Sequence, residues 1–216
     1  MRRNFNTQLN ELNIKLLKMG AMVQEIIEAS VEALAKQDLT LAKKIYEMDD
    51  EIDKIELEIE LECMNLIALQ QPMAKDLRVI ATILKMITDL ERMGDHAVNI
   101  ARVTLEIGNE PLIKPLIDIP KMAKLAQNMV NKSLNAFMKL DVKLAEEVAH
   151  DDEEVDQLHE YIYTELMDMM IKNQKIVKQA TNLIFISRYL ERIADHATNI
   201  GERTIYIVTG ENVEIN

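Results

Sequence analysis

The decapeptide Glu91-Arg92-Met93-Gly94-Asp95-His96-Ala97-Val98-Asn99-Ile100 returns 100 residues later as Glu191-Arg192-Ile193-Ala194-Asp195-His196-Ala197-Thr198-Asn199-Ile200, with seven of ten positions identical. In each copy Glu, Asp and Asn stand at i, i+4 and i+8, a spacing that stacks all three on one face of an α-helix. Working outward, Met19 to Asp53 matches Met122 to Asp156 at an offset of 103, through pairs such as Gln24/Gln127, Ser30/Ser133, Asp38/Asp141, Asp49/Asp152 and Asp53/Asp156. The chain is therefore a tandem duplication. The change of offset means that the second half lacks three residues, placed in the loop around Gln70-Gln71-Pro72, because a loop tolerates such a deletion and a helix does not.

With only 5 Gly, 4 Pro and 4% aromatics in 216 residues, and with helix formers dominant, the composition predicts long helices. Three are expected in each half, spanning 6–36, 40–69 and 73–107, then 118–138, 142–171 and 175–209. Asp38 and Asp141 suit N-caps, and Pro72 suits a helix start, where its missing amide costs nothing. Three of the four prolines fall between Gly108 and Pro120. The predicted fold is all-α, two pseudo-symmetric three-helix bundles over 1–108 and 121–216, joined by a linker over 109–120.

A net charge of −12 repels a phosphate backbone, and no basic patch is segregated in the sequence, so nucleic acid is excluded as a partner. Cys63 has no disulfide partner within the chain and reads as an inert thiol. No apolar run follows the basic Met1-Arg2-Arg3, and none approaches the roughly 18 residues of a spanning helix. The expectation is a cytoplasmic protein that meets the membrane only through partners.

The candidate site is acidic. Asp49 with Asp53, Glu91 with Asp95, Asp152 with Asp156 and Glu191 with Asp195 are all like-charge i, i+4 pairs, each costing about 0.2–0.5 kcal/mol unless a cation compensates. Glu91, Asp49, Asp53 and Asp152 have no Lys or Arg at i±3 or i±4, whereas Arg92 can reach Asp95 and Arg188 can reach Glu191. Glu91 and Asp95 continue a face that also carries Leu77, Ile80, Ala81, Leu84 and Thr88, which aims them towards a packed surface. If the second and third helices of a half lie antiparallel, their pairs face each other in an oxygen-rich cluster suited to divalent or trivalent metal ions such as Mg, Mn, Fe or carboxylate-bound Zn. Each isolated pair also reads as a solvated helix face; repetition in both halves is what favours a site. His96 and His196 lie about 100° around the helix from the carboxylates and read first as hydrogen-bonded structural histidines. Met86, Met122, Met129 and Met138 read as core.

Gln71-Pro72-Met73-Ala74-Lys75-Asp76-Leu77-Arg78, followed by Asp89-Leu90-Glu91-Arg92-Met93-Gly94-Asp95-His96-Ala97-Val98-Asn99-Ile100-Ala101, resembles the most recognisable stretch of the PhoU family. The resemblance covers both halves. It implies paired E/D-x-x-x-D motifs able to hold multinuclear metal clusters, at Asp49, Asp53, Glu91 and Asp95 and at Asp152, Asp156, Glu191 and Asp195. It further implies a non-enzymatic negative regulator of the phosphate regulon, a homodimer working with the phosphate ABC transporter's ATPase and a sensor histidine kinase. The second half departs from this pattern, lacking a counterpart of Gln71-Pro72-Met73 and carrying Arg188-Tyr189 for Thr88-Asp89. Two alternatives remain: a metal-free helical scaffold, and a ferritin-like di-metal oxidase, which would need Glu-x-x-His on two helices. Glu147/His150 and Asp156/His159 share one predicted helix, which argues against the latter.

Overall fold

The computed structural model describes residues 2–211 and 213–215, with side chains from Phe5 onward; Met1, Asn212 and Asn216, inside the two expected repeat spans, lie outside the described residues. Six α-helices follow in order: α1 Arg2–Lys36, α2 Leu39–Gln70, α3 Lys75–Ile107, α4 Asp118–Lys139, α5 Val142–Lys172 and α6 Val177–Thr209. A 3₁₀ turn, Gln174–Ile176, leads into α6, and no strand occurs among the described residues. The fold is an all-α pair of pseudo-symmetric three-helix bundles.

The halves repeat each other down to their turns. α1 ends on Gln37 and α4 on Leu140, both left-handed with φ 51°, followed by Asp38 N–H donating to Ala33 O and Asp141 N–H donating to Ala136 O, each at 2.9 Å. The aspartates then cap the next helix as expected. Asp38 accepts from Thr40 N and Leu41 N, and Asp141 from Leu144 N, which satisfies amides that no preceding carbonyl can reach.

Two details differ from the sequence reading. α3 begins at Lys75, not beside Pro72, because Gln71 (φ 47°) and Ala74 (φ 48°) are both left-handed and bracket Pro72 and Met73 in a reversal before the helix can start. Residues 71–74 separate α2 from α3 and 173–176 separate α5 from α6, equal lengths, so the three-residue deficit is taken up in the helix ends around this connection, with most of the second connection wound as the 3₁₀ turn. Pro120 sits inside the first turn of α4, where an amide would have no intrahelical acceptor. The segment 108–117 is tied to both halves. Gln37 Nε2 donates to Gly108 O and Glu110 O, Gln179 Nε2 donates to Pro111 O, and Ile113 N–H donates to Gln179 Oε1 at 2.6 Å.

Within each half the three helices pack on one another, and the halves join through α1 against α4 and α3 against α6. α2 and α5 lie on outer flanks, each touching only its own half. One apolar core runs through all six helices, from Leu16, Met19 and Ile26 through Ile52, Ile83 and Leu90 to Met129, Val155, Leu190 and Ile200. Gly20 marks the closest α1–α4 approach, because a Cβ there would meet Leu134 Cδ1 at 2.2 Å. Nearby, Gln127 Nε2 donates to Gln24 O, so the two members of a repeat pair meet near the pseudo-twofold axis. Met86, Met122 and Met129 are buried, as their spacing suggests; Met138, in the last turn of α4, is partly exposed.

Candidate functional site

The acidic pairs of the first half meet in the groove between α2 and α3. Gly94 permits this, since a Cβ on it would stand 2.7 Å from Asp49 Oδ1 and 3.5 Å from Ile52 Cδ1. With no side chain at Gly94, the Asp49 carboxylate lies directly against α3, level with Glu91 and Asp95. Burial, then Asp53, Asp95 and Asp50, push the Asp49 carboxyl up to about 6. Burial, then Asp95, push Glu91 up to about 7, although Arg92 opposes the rise. Asp53 is also raised, by burial and then by Asp95. The four carboxylates therefore form one electrostatic group.

The stripe expected to carry them into the core does not do so. Ile80 is buried, but Leu77, Ala81 and Thr88 are exposed and Leu84 is half-buried. The buried face of α3 is rotated from it, through Ile80, Ile83, Ile87, Leu90 and Ala97. Glu91 and Asp95 thus stand on the rim of the core, half-buried, open to water and to ions.

In the second half Asp152, Asp156, Glu191 and Asp195 line one cleft of about 320 Å³ between α5 and α6, with His150 and Arg192 at its edge. Asp152 is only 5% exposed, and burial followed by Asp156, Asp195 and Glu191 pushes its carboxyl up to about 7. Asp156 is raised by burial and then by Asp195, against the pull of His159 and Arg188.

Arginines hold the outer carboxylates. Arg92 Nη1 donates to Asp95 at 3.0 Å, Arg192 Nη1 to Asp195 at 2.7 Å and Arg188 Nη1 to Glu191 at 2.5 Å. The inner ones lack such help. Asp49 Oδ1 and Asp152 Oδ1 are buried without a hydrogen-bond partner among the described residues, a costly position for a carboxylate oxygen. Among the described residues no group of three or more His, Cys, Asp or Glu side chains is arranged to hold a metal ion as it stands.

Sequence reasoning missed Glu56. It lies seven residues beyond Asp49 on the same face of α2, is raised by burial and then by Asp53, and accepts from Thr88 Oγ1 at 3.4 Å. Its i+3 spacing from Asp53 was the available signal. At offset 103 its twin is His159, which instead bonds Ser187 Oγ at 2.9 Å.

The histidines of the motif face away from both acidic grooves and meet at the α3–α6 junction, with ring centroids 5.8 Å apart. His96 stacks on Tyr189 at 5.9 Å, and burial followed by His196 lowers its pKa to about 4. His196 Nδ1 pairs with buried Asp89 at 3.1 Å, and Asp89 also accepts from Arg203 Nε and Asn199 Nδ2. His196 is hydrogen-bonded as expected, whereas His96 Nδ1 is buried without a hydrogen-bond partner among the described residues. Both Glu/Asp-x-x-His pairs lie on the one helix α5, with His150 exposed beside Glu153 and His159 bonded to Ser187, whereas a ferritin-like centre requires such a pair on each of two helices. The Cys63 thiol is buried and pushed up to about 12, which keeps it protonated and inert.

The PhoU domain model matches this chain twice, over residues 16–104 and 119–204. The chain is 41% identical to the phosphate-specific transport system accessory protein PhoU homolog of Clostridium acetobutylicum, over 100% of its own length and 99% of that protein. It is 42% identical to the homolog of Aquifex aeolicus, over 96% of this chain and 94% of that one. Its fold is similar to the crystal structure of PhoU from Pseudomonas aeruginosa, with a TM-score of 0.91, 36% identity, and 96% of this chain and 100% of that chain covered. The phosphate transport system regulatory protein PhoU of Streptococcus pneumoniae superposes with a TM-score of 0.89 at 34% identity, covering 97% and 99% of the two chains. Two matches to the PhoU domain model, with end-to-end similarity to these proteins in sequence and in fold, show that the chain belongs to the PhoU family.

Proposed function

We propose that this chain is a non-enzymatic accessory regulator of phosphate uptake that restrains the phosphate regulon. The observation that carries the reading is full-length similarity to proteins named for the phosphate-specific transport system, with both halves matched. It acts as a homodimer in the cytoplasm, working on the phosphate ABC transporter's ATPase and a sensor histidine kinase, and it reaches the membrane through them. In keeping with that, none of its described helices is long and apolar enough to cross a membrane. Deleting the gene tests this: phosphate-starvation reporters should become active in phosphate-replete cells. Unchanged uptake and reporter output, with no second copy to compensate, would count decisively against it.

The two acidic grooves are proposed as cation sites, Asp49, Asp53, Glu91 and Asp95 in one and Asp152, Asp156, Glu191 and Asp195 in the other. Support comes from the unpartnered buried oxygens of Asp49 and Asp152 and from the raised carboxyls around them, which mark an uncompensated negative field. An all-oxygen donor set suits hard or borderline ions such as Mg, Mn, Fe or Zn. Since no ligating group is arranged in advance, loading requires the carboxylates to rearrange, with the ion competing against Arg92, Arg192 and Arg188 for Asp95, Asp195 and Glu191. A bound ion would supply the positive charge that the arginines give only to the outer carboxylates. Carboxyls raised to about 6 and 7 hold protons near neutrality, so loading should release protons.

The test is metal content and thermal stability of purified protein with and without chelator, for the wild type and for Glu91→Gln with Asp95→Asn. A cation at a hundredfold excess over its dissociation constant adds about 2.7 kcal/mol. The wild type should therefore melt lower in chelator, and the double variant should bind less metal and respond less. Identical melting of the wild type in both conditions would leave the metal-free scaffold as the better reading.

A further inference from the structure

Where the start of α3 passes the end of α6, a cleft of about 950 Å³ opens, larger than the acidic cleft on α5 and α6 and with cationic as well as acidic side chains in its lining. Arg78 and Lys85 line it from α3, and Asn199, Arg203 and Tyr206 line it from α6. In a chain of net charge −12, three cationic side chains gather around this one opening, which Glu202 and Glu214 also line.

The cations differ in availability. Arg203 is committed to buried Asp89, at 2.8 Å from Nη2 and 2.9 Å from Nε. Arg78 and Lys85 have no ion pair among the described residues, and Arg78 Nε is buried without a hydrogen-bond partner. Arg78 Nη1 lies beside Gly210, where α6 ends. Two acids also line the opening. Glu202 accepts from the Ile215 amide at 3.0 Å and keeps its charge, and Glu214, on the C-terminal tail, is the more exposed of the two competitors for the free cations.

The duplication supplies an internal control. At offset 100, Arg78, Thr82 and Lys85 correspond to Lys178, Asn182 and Phe185, and Glu202 and Arg203 correspond to Arg102 and Val103. The other end of the same helix pair thus also carries cations, Lys178 and Arg102, but places Phe185 and Val103 where this end has Lys85 and Arg203. Helix packing is shared by both ends, so packing alone does not call for Lys85 and Arg203.

We propose that this cleft binds a phosphoryl oxyanion, either free or carried by a small organic molecule. The Arg78 guanidinium, the Lys85 ammonium and the Tyr206 phenol in the lining are donors suited to phosphoryl oxygens, and Asn199, which gives one N–H to Asp89, has a second. Leu77 and Val213 flank them with apolar surface, and the volume is that of a small-molecule site. Glu214 guards the opening and lowers affinity for an anion.

Calorimetric titration of the full chain, in buffer without added metal, tests this with inorganic phosphate, adenosine 5′-monophosphate and adenosine as probes. At least one phosphoryl probe should bind at millimolar concentration or below, and adenosine should not. Tighter binding of the nucleotide identifies an organic phosphate; equal or tighter binding of inorganic phosphate identifies the free ion. Arg78→Gln with Lys85→Gln should weaken binding by about tenfold or more. Glu214→Gln should strengthen it, and Lys178→Gln at the opposite end should leave it unchanged. If the double variant melts abnormally, Lys85→Gln alone, at an exposed position, provides the same comparison. Absence of binding by both phosphoryl probes, equal binding of adenosine, or wild-type affinity in the Lys85 variant would overturn the proposal.

Discussion

Asp49 shows how one residue couples the groove to stability. Its carboxyl is pressed against α3 over Gly94, loses hydration there and feels Asp53 and Asp95, so its folded-state pKa rises from 3.8 to about 6. Glu91 and Asp152 rise to about 7 for the same reasons. Between the unfolded and folded values the folded protein holds more protons, so these groups contribute stability at low pH that is lost as pH rises through the folded pKa. His96 works in the opposite sense, since its pKa falls from 6.5 to about 4 and its share of stability is lost as pH falls across that window. Three carboxyls outweigh one imidazole. Metal-free wild type should therefore be more stable near about pH 5.5 than near about pH 7.5. Asp49→Asn should gain about 1 kcal/mol at the higher pH, a modest value because the carboxyl keeps contact with water. Denaturant titrations in chelator at both pH values check this; a variant less stable than wild type at the higher pH would show that the Asp49 charge is welcome in the groove.

At the scale of elements, the α3–α6 contact is where the two halves cease to be copies. Asp89 and Tyr189 are equivalent positions, yet Asp89 gathers His196, Asn199 and Arg203 while Tyr189 stacks on His96. One end of the junction is an ion-pair network and the other an aromatic stack. Removing the carboxylate strands Arg203 and His196 beside a buried space, the case in which a broken ion pair costs most. Asp89→Ala should lose about 3 kcal/mol, the low end of the range for breaking a buried pair, because Arg203 retains some exposure. The shift of the denaturation midpoint measures it, and a loss below about 1 kcal/mol would assign the junction's stability to its apolar contacts instead.

For the whole molecule, the decisive fact is that one apolar core threads both repeats. Separating the halves would expose the α1 surface that receives Leu134 at Gly20 and the α3 surface that meets α6. A fragment ending at Gly108 should remain helical but melt without a sharp transition and self-associate, because its largest apolar faces would lack partners. Calorimetry of that fragment checks this; a cooperative melt as a monomer would show that each bundle is a self-sufficient domain.

Helix positions, the Asp38 and Asp141 caps and the i, i+4 pairing of the eight carboxylates could be read from the chain, because each depends on neighbours within about two helical turns, and the duplication could be read by comparing the chain with itself. Periodicity states which residues share a face but not which neighbour covers it. That is why the stripe through Leu77, Ala81 and Thr88 reads as buried yet lies at the rim, and why the start of α3 waits for Gln71 and Ala74 to complete their reversal. Glu56 joins the first groove, His96 and His196 leave it for the junction, and Arg78 and Lys85 meet Arg203 across a cleft only once α3 and α6 are packed. Those groups are far apart in sequence. Helix-to-helix packing brings them together, and the burial that shifts their charges exists only in the folded core.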